Sequence, residues 1–124
     1  MPIETSRDPD RELTILVVSG PVTLDEMITV LEDFYAKGST RLTLWDLSPS
    51  DLSNVTPDDI LRFIQRAAEL GVERKDGRTA VFTTNDLQYG LGRMAETYAA
   101  FEDLSYSLSL FRSREEALAW LFSE

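Results

Sequence analysis

Thr43-Leu-Trp-Asp-Leu-Ser-Pro-Ser-Asp-Leu-Ser-Asn-Val-Thr-Pro-Asp-Asp-Ile-Leu-Arg-Phe63 decides how this chain is to be read. It begins as an apolar, β-compatible run, crosses a loop rich in Ser and Asp, and ends in a segment whose apolar residues fall at helical spacing. Thr56-Pro57-Asp58-Asp59 reads as a helix start. Thr is a good cap, Pro suits the first helical position because its missing N–H has no partner there anyway, and two carboxylates face the positive end of the helix dipole. Ile60, Phe63, Ile64 and Ala67 mark one face of that helix, and Gly71 closes it. A strand feeding a helix is the unit of an α/β fold.

The unit recurs on both sides. Upstream, Ile3 to Ser6 and Leu13 to Val18 read as a hairpin around Asp8-Pro9-Asp10, and Gly20-Pro21 ends it. Thr23-Leu-Asp-Glu26 is a capping box, followed by Leu24, Met27, Ile28, Leu31, Phe34 and Tyr35 at helical spacing, with Gly38 as a left-handed cap. The strand of the opening stretch runs from Arg41 to Leu47. Downstream, Asp76-Gly77 is a turn, Arg78 to Thr84 a strand, and Asn85 or Asp86 opens a third helix with Leu87, Leu91, Met94, Ala95 and Tyr98 on one face. Ser105 to Phe111 alternates Leu and Ser, which fits a strand with one open face near an edge. Ser113-Arg-Glu-Glu116 is a second capping box, opening a helix with Ala117, Leu118 and Leu121 inward.

The order is therefore β-β-α-β-α-β-α-β-α, a single α/β domain over residues 1–124. Helical crossovers imply a mainly parallel five-stranded sheet with one antiparallel edge strand and four helices. Leu16, Val18, Ile28, Leu31, Leu44, Ile64, Val81, Phe82 and Leu118 are its expected buried residues.

Cysteine and histidine are both absent, which removes disulfides, thiolate chemistry, the commonest general base and the commonest zinc ligand. A net charge of −10 opposes nucleic acid and anionic membranes. The one dense basic group, Arg74-Lys75 with Arg78, reads as a solvated turn. No apolar run approaches the ~20 residues of a membrane span, and no secretory signal opens the chain. A cytoplasmic protein without nucleic-acid partner, stable membrane insertion or cofactor is the expectation.

Ligands of open parallel sheets sit outside the carboxyl ends of the strands. Asp46 and Asp86 both follow strands there, and paired carboxylates suit Mg²⁺. They define one alternative, a Mg-dependent enzyme or phosphoacceptor. Response-regulator receiver domains share the length and alternation but have acids where this chain has Ser19-Gly20, and a lysine where it has Arg112. Gly90-Leu-Gly-Arg-Met-Ala95 spells a dinucleotide fingerprint inside a helix, where its amides cannot cradle a pyrophosphate. Gly90 and Gly92 each cost about 0.5–1 kcal/mol of helix stability, so they either permit close packing or act as a hinge. On that ground Gln88 to Gly92 is expected to be the least stable part of any helix.

The element order resembles the SpoIIAA-like fold of STAS domains and anti-sigma-factor antagonists. Leu44-Trp-Asp-Leu-Ser48 is similar to that family's leucine-aspartate-leucine-serine strand end. Phe111-Arg-Ser-Arg-Glu-Glu-Ala-Leu-Ala-Trp-Leu121 resembles the end of the STAS/SEC14-type bacterial branch. For the antagonists, the resemblance implies a phospho-switch at the start of the second helix, which is Thr56 here, although a phosphate there would sit against Asp58 and Asp59. For the STAS/SEC14-type branch it implies a small hydrophobic or lipid-like ligand beside a movable helix. Tyr89, Leu91, Met94, Tyr98 and Phe101 of the third helix are the residues that fit such a ligand, with Gly90 and Gly92 as hinge. The expected function is a non-catalytic binding or regulatory domain for a small apolar ligand or a protein partner.

Overall fold

A computed structural model of the chain describes residues 2–123. Strand β1 (Ile3–Asp8) turns through a 3₁₀ segment at Pro9–Arg11 into β2 (Leu13–Val18), and the two pair antiparallel with Ile3 opposite Val18. After β3 (Gly20–Pro21) come α1 (Leu24–Ala36), β4 (Leu42–Asp46), β5 (Ser50–Asp51), α2 (Pro57–Leu70), β6 (Arg78–Phe82), α3 (Asp86–Phe101), β7 (Ser107–Phe111) and α4 (Arg114–Leu121). The main sheet has the order β1-β2-β4-β6-β7, parallel from β2 onward. The expected α/β architecture, with one antiparallel edge strand and four helices, is what forms.

The caps explain where the helices begin. Thr23 accepts from the Glu26 N–H at 3.2 Å and Glu26 returns to the Thr23 N–H at 2.9 Å. Asn85, not Asp86, caps α3, accepting from the Gln88 N–H at 2.9 Å. Ser113 accepts from the Glu116 N–H at 3.2 Å, while no return bond from Glu116 forms, so only half of the second expected box is present. Gly38, at φ +96°, takes the left-handed turn after α1 that a side chain would strain.

The two faces of the sheet are covered unequally. Leu16, Val18, Trp45 and Val81 pack under Met27 and Leu31 of α1, Ala67 of α2 and Leu91 of α3. Leu13, Leu42, Leu44 and Ala80 on the other face meet only α4, through Ala117 and Leu121. That thin cover leaves Phe82 and Leu118 half-buried, where the sequence predicted them largely buried; Ile28 on α1 is half-buried too. Among the described residues no helix is long and apolar enough to cross a membrane.

The two-residue strands tie down the opening loop. Gly20 and Pro21 pair in parallel with Ser50 and Asp51, and the Gly20 N–H donates to the Pro49 carbonyl at 2.8 Å. A bridge this short has no hydrophobic period, so only Gly20-Pro21 as a strand end was legible.

Candidate functional site

The apolar residues of the opening stretch, rather than its Ser and Asp, build the most site-like feature of the molecule. Trp45, Leu47, Leu52, Ile60 and Phe63 line a cavity of about 70 Å³ between the sheet and the three-helix layer. Trp45 and Phe63 meet edge to face, ring centroids 5.4 Å apart. The sheet supplies the floor through two cross-strand pairs on the same face, Thr43 with Thr79 and Trp45 with Val81. Helix α3 supplies Leu91, Gly92 and Ala95.

Of the five residues that the sequence nominated on α3, Leu91 alone lines this cavity. Tyr89 lies under the Arg112 guanidinium, 3.9 Å from its ring centroid. Tyr98 is half-buried. Met94 and Phe101 are exposed, Phe101 at 81%, and with Leu87 they form an outward line along the helix. The expected face is rotated because α3 reverses the usual rule. It buries Gln88 and Gly92 and exposes large apolar residues, so a reading by hydropathy selects the wrong stripe.

One end of the cavity is polar. Arg74, expected in a solvated turn, is only 6% exposed. Its guanidinium donates to the carbonyls of Thr40 at 3.1 Å, Arg41 at 2.9 Å and Arg78 at 3.3 Å, and to the hydroxyls of Thr43 at 3.0 Å, Thr79 at 3.1 Å and Tyr35 at 3.3 Å. It also lies 4.4 Å from the Tyr106 ring centroid. Burial, and then the neighbouring Tyr35, push the Tyr106 phenol well above its ordinary pKa. The sequence signal for Arg74 was its place in the α2–β6 loop, within reach of two strand starts, but the Lys75 beside it disguised it as part of a surface cluster.

A solved structure has a similar fold. It is an uncharacterised protein of the DUF3478 family with a SpoIIAA-like fold, from Shewanella loihica PV-4. The two are 26% identical with a TM-score of 0.58, over 96% of this chain and 91% of the other. This chain has a SpoIIAA-like fold. No family model and no curated protein matches it. The fold suggests a regulatory or binding role for the SpoIIAA-like domain, and the remaining sites are read on that basis.

Thr56 is exposed at the start of α2 and caps it: its hydroxyl accepts from the Asp59 N–H at 3.1 Å, and Asp59 returns to the Thr56 N–H at 3.0 Å. Asp58 and Asp59 thus occupy the helix end that a phosphate would need. Thr56→Ala should lower stability by about 1 kcal/mol in urea melts. A loss below about 0.3 kcal/mol would show that Pro57 and the acids start the helix unaided.

Asp46 and Asp86 are engaged separately. Asp46 is buried and accepts from Arg114 at 2.7 Å and from the Ser48 hydroxyl and N–H at 2.6 and 3.0 Å, joining the end of β4 to the start of α4. The Asp86 side chain is 99% exposed and meets Arg112 at 3.4 Å. Among the described residues no group of three or more acidic side chains is placed to hold a metal ion.

The two candidate hinge glycines differ. A Cβ on Gly92 would lie 2.5 Å from Leu110 Cδ1, whereas one on Gly90 would meet nothing within 4 Å. Gly92 therefore serves close approach of α3 to β7. Gly90→Ala should raise stability by about 0.5–1 kcal/mol, the ordinary helix-propensity gain, readable as a higher melting temperature. A drop would mean that the segment needs freedom at Gly90.

Proposed function

We propose that this SpoIIAA-like domain is a non-catalytic binding domain that holds a small apolar ligand between the sheet and helices α1, α2 and α3. The observation that carries the reading is the cavity, lined by Trp45, Phe63, Val81 and Leu91. Close-packed interiors hold few voids larger than a water molecule, and an apolar void of this kind stays dry and accepts apolar guests. At roughly 10–15 Å³ for each water-sized occupant, about 70 Å³ takes roughly five or six non-hydrogen atoms without rearrangement.

Trp45 provides the readout. The other tryptophan, Trp120, lies on the far face of the sheet against Phe111, so Trp120→Phe leaves a single reporter in the cavity. Benzene should shift Trp45 emission and raise the melting temperature. Ala95→Leu, which fills the cavity from α3, should abolish both responses while keeping the fold. Unchanged emission at saturating benzene would remove the reading. A protein partner is the second reading, favoured by the exposed line of Leu87, Met94 and Phe101. Native mass spectrometry separates the two, because a co-purifying small molecule is expected only from the first.

A further inference from the structure

Two charged side chains are buried among the described residues, Asp46 and Arg74. Asp46 has its counter-charge in Arg114 at 2.7 Å. Arg74 has none: every hydrogen bond it donates goes to a neutral oxygen, and no ion pair among the described residues includes it. Burying a charge is costly unless it is paired, and a chain with net charge −10 has no shortage of carboxylates for the purpose. Those carboxylates lie elsewhere, and what surrounds this cation is hydroxyl and aromatic ring.

The cation also stands at a particular place. Arg74, Thr43, Thr79, Tyr35 and Tyr106 all line the apolar cavity, and the floor runs from the Thr43–Thr79 pair to the Trp45–Val81 pair on the same sheet face. The wall of the void is almost wholly apolar, and the buried cation with the hydroxyls it holds stands at one end of it. Hydroxyls that now accept from the guanidinium can turn to donate to an anion, since a Ser, Thr or Tyr O–H has one donor and two acceptor sites.

Resting on the reading of the cavity as a ligand site, we infer that its ligand is a short-tailed organic carboxylate, with the head against Arg74, Thr43 and Thr79 and the tail against Trp45, Phe63 and Leu91. The guanidinium N–H groups are already taken by protein oxygens, so the cation attracts the carboxylate by its charge, while the Thr43 and Thr79 hydroxyls that accept from it donate to the head. A tetrahedral phosphate carries more oxygens and more charge than the few adjustable donors here can satisfy. With the three atoms of the carboxylate counted among the roughly five or six that the void holds, the tail is limited to about three carbons before the helix layer must shift.

A four-carbon series on the intact chain tests this: sodium butanoate, 1-butanol, butylamine and butyl phosphate, read by Trp45 emission in the Trp120→Phe background and by melting temperature. Butanoate should bind at least about tenfold more tightly than 1-butanol, and butylamine most weakly. Thr79→Val should weaken butanoate and leave 1-butanol unchanged, a difference that general loss of stability would not produce. If 1-butanol binds as well as butanoate, the anionic anchor is wrong and the apolar cavity stands. If butyl phosphate binds more tightly than butanoate, the carboxylate class is wrong. If none of the series and no benzene perturbs Trp45, both this inference and the proposed function fail.

Discussion

Arg74→Ala should lower stability by about 3 kcal/mol, the largest loss expected from any single substitution outside the apolar core. Hydrogen bonds to a charged group contribute about 1.5–3 kcal/mol each, and this side chain makes six of them, to Thr40, Arg41, Arg78, Thr43, Thr79 and Tyr35. The sum overshoots because removing the arginine also removes the cost of burying its charge. What remains is three carbonyls and three hydroxyls without their shared donor, and an empty slot between Phe34 and Tyr106, whose ring centroids lie 5.6 and 4.4 Å from the guanidinium. Arg74→Lys keeps the charge but presents donors from a single point, so it cannot serve Thr40 and Thr79 together, and should recover less than half of the loss. Urea melts of the two variants check this. A loss below about 1 kcal/mol in Arg74→Ala would mean that water replaces the guanidinium easily, and the polar end of the cavity would then be open rather than built.

Particular residues show why the fold was legible and the site was not. The strands and helices announce themselves by period and by caps: Thr23 with Glu26, Thr56 with Asp59 and Asn85 with Gln88 all form reciprocal bonds from neighbours three apart in sequence. Such signals are local, and local signals survive the absence of a structure. The cavity depends instead on which face of α3 turns inward, and that is settled by long-range partners. Gln88 finds Ser48 and Ser50, and Gly92 finds Leu110, so Leu87, Met94 and Phe101 are left outside. The opening loop misleads in the same way. Its Ser, Thr and Asp residues draw the eye as chemistry, yet they cap and turn the chain, while Trp45, Leu52 and Phe63 within the same stretch line the void. Arg74's place in the α2–β6 loop says little by itself, because its partners lie in α1, in the loop before β4, in β4 and in β6.

Gln88 is where this pattern makes its second large prediction. The side chain is 1% exposed and joins α3 to the opening loop. Its carbonyl oxygen accepts from the N–H groups of Thr84 at 2.8 Å and Asn85 at 3.4 Å, and its amide nitrogen donates to the carbonyls of Ser50 at 3.1 Å and Ser48 at 3.3 Å. Gln88→Leu fills the volume and removes both halves, leaving buried backbone groups without partners, and should cost about 2–3 kcal/mol. Gln88→Glu keeps the accepting half and turns an oxygen toward Ser48 and Ser50, so its ionised form faces two carbonyls in a dry site. Burial and those carbonyls raise the introduced carboxyl in the folded chain above its unfolded value of about 4.3. A raised folded value means that the fold binds the proton more tightly than the unfolded chain does, so the variant should gain stability relative to wild type as pH falls from 7 toward 5, and lose it again as pH rises. Urea midpoints at the two pH values decide this, and a gap that does not change with pH would show that the carboxylate escapes to water. The anchor also relocates the weak part of α3. With Gln88 pinned and Gly92 packed on Leu110, Gln88 to Gly92 should not be the easiest place to open, against the expectation from its glycines. Amide exchange should be slower there than from Ala95 to Phe101, and any widening of the cavity for a longer ligand should come from that second half of the helix.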